Sequence, residues 1–450
     1  MLLIYVPKLT NRLGYTINVV MRDILKTDFA ITNDVPTFER HEGARLCYGP
    51  HPIASVNAPY IKSTKLLFET TIEEQECHCF DINGIPALFP VYGQNTAMPF
   101  DPFAAIFFML SRYEEYLPHR KDEHGRFIAT ESIAYKNGFL QKAVVDRWAL
   151  MLRDVIRQHY PDIVFKERSF NFIQTIDIDA AYCYLHKGFV RTFMGILRDG
   201  IYRHTPAEVK RRLRVLRGKE EDPFDTFDYI IEQQLLHKQH STLLFFALLG
   251  DYGMYDKPAS YFNNEFRQLL QHIGDFSKVG IHGSYNSSNE PKRLECETER
   301  LADILHRPIV RNRYHFLRFD LPDAFRILPQ IGINHDYTMG YATQLGFRCG
   351  TCSEIPFFDL GSDQETSLIL HPFATMDTTM HNYLKLSPKE AKAQYHALID
   401  EVRAINGTFC CIFHNQNLCD DYGWQGWKEV YEDLLDYACN DNNLTTTAAL

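Results

Sequence analysis

Residues 170–182 read FNFIQTIDIDAAY. An apolar run closes on two aspartates, Asp177 and Asp179, with one residue between them. In an extended strand, residues i and i+2 project to the same side. Both carboxylates therefore leave the end of one strand together. Two carboxylates that close raise each other's pKa unless a cation or hydrogen-bond donors intervene. A bound metal removes that conflict, so the pair marks a chemical site rather than a polar strand end.

Working outward, further apolar segments at 242–249, 278–282, 309–315, 368–371 and 408–414 read as strands like 170–178. Amphipathic stretches at 261–273, 292–305, 323–329, 389–405 and 427–439 alternate with them as helices. Alternating β and α elements with apolar strands indicate an α/β fold with a parallel sheet covered by helices. Closed into a (β/α) barrel, such a unit needs about 250 residues, which 166–450 can supply. A boundary falls near residue 165. Before it lies a smaller mixed α/β domain, 1–165, with strand-like runs at 2–6, 66–70 and 85–92 and helical stretches at 102–116 and 137–159. No chemical motif stands out there, and Glu114, Glu115, His119 and Arg120 read as a solvated helix end.

Residues 186–240 interrupt the rhythm and read as a helical insertion. Between Arg191 and Lys219 stand nine Lys or Arg against two acids, Asp199 and Glu208. Such a stretch is either a solvated helical surface or a patch facing an anionic substrate or membrane surface.

The whole chain carries a net charge of -10, which argues against a general nucleic-acid binder. No apolar run reaches the roughly 20 residues of a membrane helix. The N-terminal MLLIYVPKLTNRLGY reads as a first strand, not a signal peptide. Eleven scattered cysteines without an export signal read as reduced thiols of a cytoplasmic protein. The single Cys349–Cys352 CxxC is weak evidence for zinc or redox chemistry.

Several more strand ends carry reactive side chains. His282 closes the short strand of KVGIHGSYNSS, and neutral imidazole is a good zinc ligand. His315 and Arg318 lie in or just past the strand of RNRYHFLRFDLP. Arg318 could clamp a carboxylate, while His315 reads equally as a core histidine or a functional one. Asp336, in GINHDYTMGY, is a carboxylate set behind the site. Gly340, Gly346 and Gly350 mark tight backbone turns beside it. His414 closes NGTFCCIFH and could protonate a leaving group. Catalytic residues of α/β barrels come from the C-terminal ends of different strands, and Asp177, His282, His315 and His414 share that placement.

These residues resemble the polysaccharide deacetylase family, the NodB-homology hydrolases, and the chain looks like the bacterial members that carry an extra N-terminal domain. The order of elements matches from about residue 170 to 440. The family's T-F-D-D motif reads here Thr175-Ile-Asp177-Ile-Asp179, with Ile178 inserted between the carboxylates. Its H-[ST]-x-x-H motif reads His282-Gly-Ser-Tyr-Asn286, with Asn286 in place of the second metal histidine. Its R-P-P-[YF] motif is absent, and the stretch from Arg313 to Arg318 occupies that place. The resemblance implies a distorted (β/α) barrel of NodB-homology type. It implies Asp177 as general base, and a divalent metal, zinc with cobalt, nickel or iron(II) as alternatives, on Asp179 and His282. His315 is the first choice for third ligand, with Asn286 or a water next. His414 protonates the leaving group, and Arg318 or Arg348 orients a carboxylate. Tyr285, Asn286, Asp336 and Arg348 fall on the substrate side. The implied activity is removal of acetyl groups from a sugar of a surface polysaccharide or its precursor. Two rivals stand beside it: a degenerate member that binds glycan or metal without turnover, and a glycosidase using Asp177 and Asp179 as its acid/base pair.

Overall fold

The computed structural model describes residues 1–93, 95–202 and 204–440. Residues 441–450 of the expected second unit, and Arg203 of its basic stretch, lie outside the described residues. The strands of the first part are β1 (Leu2–Tyr5), β2 (Phe29–Thr32), β3 (Ala44–Gly49), β4 (Tyr60–Lys62), β5 (Phe80–Ile82) and β6 (Ile85–Ala87). Those of the second part are β7 (Asn171–Ile178), β8 (Ser241–Leu248), β9 (Lys278–Gly283), β10 (Arg311–Tyr314), β11 (His335–Asp336), β12 (Ile355–Asp359), β13 (Gln364–Leu370), β14 (Thr375–Met376) and β15 (Thr408–His414). The first part forms a small parallel sheet in the order β2-β1-β3-β4 and a β5/β6 hairpin.

The second part forms one sheet in the order β12-β13-β11-β10-β9-β8-β7-β15-β14. Its pairings are parallel except for the β12/β13 hairpin. Among the described residues no ladder joins β14 to β12, so the hydrogen-bonded order is open.

Strand alternation decides what each face holds. From β7, Phe172, Ile176 and Ile178 enter the large core that also holds the covering helices. Ile173, on the opposite face, packs with Phe246, Tyr337, Phe373, Cys410 and Ile412 in a smaller inner cluster. Asp177 shares the parity of Ile173, and His414 that of Cys410 and Ile412, so both belong to this inner side. The helices read as expected where capping is strong. The helix Pro388–Arg403 begins with a capping box between Ser387 and Glu390, which ties down two free N–H groups. The insertion after β7 holds helices Gly188–Leu197, Pro206–Leu216 and Phe227–Leu236. No helix among the described residues is long and apolar enough to cross a membrane.

The N-terminal region departs most from its sequence reading. The expected strand at 66–70 is a single turn of 3-10 helix, Leu66–Phe68, and only Ile85–Ala87 of the run at 85–92 is a strand. The helix from Pro102 stops at Leu110, because Arg112 takes a left-handed φ of 52°. The later helix starts at Val144, not at 137. The expected solvated end at Glu114–Arg120 is partly interior. Glu115 is buried and accepts from Arg112 Nε (2.7 Å) and from Arg348 Nε (2.9 Å) and a terminal nitrogen (2.6 Å). Burial alone would raise this carboxyl, but Arg348 and Arg112 hold it down at about 2. One apolar core runs through both parts of the chain.

Candidate active site

Parallel pairing places the reactive residues side by side. Register matches His414 with Asp177 across β15/β7 and His282 with Arg313 across β9/β10. The order β15-β7-β8-β9-β10 thus gathers the candidate residues at the ends of β15, β7, β9 and β10, with β8 between. His315, two residues past Arg313, falls on the same side one step higher.

Asp179 is the centre of this group. Its Oδ1 lies 3.3 Å from His282 Nε2 and 3.5 Å from His315 Nε2. Its Oδ2 lies 3.7 Å from His414 Nε2. Each imidazole is fixed through its other nitrogen. His282 Nδ1 bonds the Arg313 carbonyl (2.8 Å), His315 Nδ1 bonds Asp256 (2.8 Å) and His414 Nδ1 bonds Asp377 (2.7 Å). The carbonyl only accepts, so His282 carries its hydrogen on Nδ1 and turns an Nε2 lone pair inward.

Ligand atoms of Asp179, His282 and His315 all lie within 4.8 Å of one another. Tetrahedral zinc with bonds of 2.0–2.1 Å holds its donors roughly 3.3 Å apart, close to the two distances on Asp179. Asp179 Oδ1 is buried without a hydrogen-bond partner. A buried oxygen left in that state is costly, and a cation there would satisfy it. The residues therefore fit a divalent metal. Two imidazoles and one carboxylate suit zinc and also iron(II). Burial opposes ionisation of Asp179 and His315, yet their mutual attraction prevails. Asp179 is held well below the carboxylate range by His315, His282 and His414. His315 is pushed up to about 9 by Asp179 and Asp256.

Asp177 has a different role in the geometry. Its Oδ1 accepts from an Arg313 terminal nitrogen at 2.7 Å, and the same nitrogen donates to Thr175 Oγ1 at 2.7 Å. Arg313 is fully buried over the Phe246 ring, with Nε on the Tyr337 carbonyl. The other oxygen of Asp177 faces His282 Nε2 at 3.6 Å. Asp377 grips His414 twice, through Nδ1 and through the backbone N–H at 2.9 Å, and also accepts from Asn417. Burial pulls the His414 imidazolium down, but Asp377 and Asp179 overcome it and push it up to about 10.

The structure thus brings Asp177, Asp179, His282, His315 and His414 together. It does not bring Arg318 or Arg348 to a carboxylate of this group. Arg318 lies beyond β10, past the left-handed Phe316 and Leu317, and donates to the carbonyls of His124 and Tyr285. Arg348 serves Glu115. Asp336 is buried and accepts from Asn312 and Thr338, with burial pushing it up to about 6; it contacts no ligand residue. Asn286 is exposed on the loop after β9 and is not one of the clustered ligands. Tyr285 stacks on Tyr255 beside them, its N–H on Asp256. Three residues escaped the sequence reading. Arg313 had a signal, since it shares strand parity with His315. Asp256 sits in the long loop after β8 and Asp377 just past β14, where no spacing singles them out.

Residues 2–161 match the model of a family of unknown function (DUF7033). No curated protein matches the chain. Among solved structures, it is similar to a putative polysaccharide deacetylase from Mycobacterium smegmatis, at 13% identity over 62% of this chain and 88% of that one, TM-score 0.40. A polysaccharide deacetylase from Bacillus cereus matches at 11% identity over 58% and 88%, TM-score 0.27. A CE4 family pseudoenzyme from Bacillus anthracis matches at 10% identity over 63% and 66%, TM-score 0.29.

Proposed function

We propose that this chain is a metal-dependent hydrolase that removes N- or O-linked acetyl groups from a sugar of a surface polysaccharide or its precursor. One arrangement carries the reading: a three-residue ligand set flanked by an arginine-held carboxylate on one side and a carboxylate-held imidazole on the other. Asp179, His282 and His315 would hold a divalent ion, zinc first and cobalt, nickel or iron(II) otherwise, and when bound it would supply polarisation of the acetyl carbonyl and a water of pKa near 7. Asp177, aligned by Arg313, takes the proton from the attacking water. His414, kept protonated by Asp377, gives a proton to the leaving amine or alkoxide. Tyr285 and Asn286 lie at the rim, where a sugar would enter. We take residues 1–165 as an accessory unit bracing a barrel-like catalytic unit over 166–450. The free state of all eleven cysteines supports a cytoplasmic setting and a nucleotide- or lipid-linked precursor.

The test is metal content and acetate release from acetylated sugar oligomers. Wild type should carry one metal ion per chain. Its activity should vanish with EDTA and return with zinc or cobalt. Asp177→Asn should keep the metal and lose about 10²–10⁴-fold in rate, whereas Asp179→Asn and His315→Ala should lose the metal. A wild type without stoichiometric metal sinks the reading. Chelator-insensitive sugar release would favour the glycosidase, and metal without acetate release a degenerate binder.

A further inference from the structure

The helix Gly188–Leu197 has no buried residue. Its outward residues are apolar at helical spacing: Phe189 (86% exposed), Val190 (73%), Phe193 (50%) and Met194 (57%). The Phe189 and Phe193 rings stack on each other, 6.3 Å apart, and not on the core. The helix is joined to the next, Pro206–Leu216, through close approach of Gly195 to Arg212. That second helix carries exposed Lys210 and Arg214, and exposed Arg217 and Lys219 follow its end. With Val209 and Leu213 these residues line a groove of ≈ 430 Å³.

The acids of this hairpin are turned inward. Asp199 is buried and pairs with Arg198 and Arg212, and Glu208 bonds the hydroxyls of Tyr184 and Tyr422. Arg214 has Glu220 at 3.4 Å. Among the described residues no carboxylate lies within ion-pair distance of Lys210, Arg217 or Lys219. A chain with a net charge of -10 therefore presents a positive, apolar-faced hairpin. It also adjoins the site. Arg191 reaches over the ring of Tyr252, in the loop after β8 that supplies Asp256. That loop exposes Met254 (80%) and Phe262 (74%).

We propose that this surface docks the protein on an anionic lipid membrane, with the helix Gly188–Leu197 lying in the interface and the basic groove on lipid phosphates. An amphipathic helix buries its apolar face roughly 5–10 Å deep at the headgroup boundary, aided by anionic lipid, and that is the chemistry presented. A second copy of the chain fits less well. A two-fold interface sets the same patch against itself, bringing the two unpaired basic clusters together at a cost. Docking sets the mouth of the site at headgroup level. Resting on the proposed deacetylase activity, this makes the substrate an acetylated sugar on a lipid carrier.

Vesicle co-sedimentation of the full chain tests the docking without using activity. Vesicles of phosphatidylcholine mixed with phosphatidylglycerol should bind the protein, those of phosphatidylcholine alone far less, and added salt should release it. Phe193→Glu with Met194→Glu should weaken binding at least about tenfold. Lys210→Gln with Arg217→Gln should weaken it roughly 25-fold, about fivefold per charge. These residues are solvent-facing, and unchanged metal content confirms that the variants are folded. Absence of binding by wild type, or variants that bind as wild type does, overturns the proposal. So does a dimer in sedimentation equilibrium that Phe193→Glu dissolves. Vesicle binding without acetate release would leave the docking standing and remove only the deacetylase reading.

Discussion

Two groups of histidines occupy the same sheet and behave oppositely. His282, His315 and His414 meet at the ends of β9, β10 and β15, each anchored at Nδ1 and turned towards Asp179. His335 and His371 line a cavity of ≈ 1360 Å³ at the other end, where β7, β8 and β15 begin. There the rings bond each other, Nδ1 to Nε2 at 2.9 Å. Burial, with Arg311 and Lys278 nearby, lowers both imidazoles, His371 to about 3. The buried imidazoles His315 and His414 rise to about 9 and 10 instead. The difference lies in the carboxylates. Asp177, Asp179, Asp256 and Asp377 face the first group, whereas among the described residues the carboxylate paired with the second is the exposed Glu354, 3.5 Å from His371. Burying histidines together does not make a site; surrounding them with fixed negative charge does.

The contrast can be broken most severely at Arg313. Arg313→Met leaves Asp177 buried without its cation, a change that costs about 3–5 kcal/mol. A urea midpoint should fall accordingly, and acetate release should be lost. Next comes pH. A histidine whose pKa is raised by folding stabilises fully below about 6.5 and loses that contribution as pH climbs through the folded value. Metal-stripped protein should therefore lose stability steadily as pH climbs from about 6.5 through about 9 and 10, and His414→Gln should flatten that limb. His371, depressed to about 3, carries the opposite sign. Its contribution is present above about 6.5 and lost as pH falls, so His371→Gln should flatten the acid limb alone. Thermal melts across pH would show both; identical melts for the two variants would erase the contrast. Smaller again, Asp377→Asn should cost about 10–100-fold in rate and lower the His414 pKa read by NMR, with metal content unchanged. Smallest is Arg318→Ala. It removes bonds to two carbonyls, so activity should change by no more than about fivefold, within roughly 1 kcal/mol.

Much of the second part was legible because its strands are apolar runs ending in a reactive side chain. Periodicity found β7, β8, β9 and β15 within a residue or two. The hairpin β12/β13 was half missed, since Gln364–Thr366 look like loop and only tertiary packing makes them a strand. In the first part, Leu66–Phe68 has strand-like residues but is too short to pair. The site was legible where a residue closes a strand. Arg318 and Arg348 were the expected carboxylate clamps, but strand alternation puts Arg313 on the side of His315, and it is Arg313 that holds Asp177. Asp256 and Asp377 act across long sequence separations, which no local pattern encodes.

The ion bridge at Glu115 bears on how this chain can be divided. Its carboxylate lies in the first part, while one of its two guanidinium partners, Arg348, belongs to the second. Arg147 meets Glu401 across the same divide, and Asp146 receives Thr351 and Ser353. Cutting the chain near residue 165 and discarding the front would strip Arg348 of its carboxylate partner and leave a bare apolar wall beside it. The front segment thus acts as a built-in half of the back segment's interior. Two separately made pieces should fold only by finding each other, so this protein offers a natural split point for reassembly rather than a detachable module.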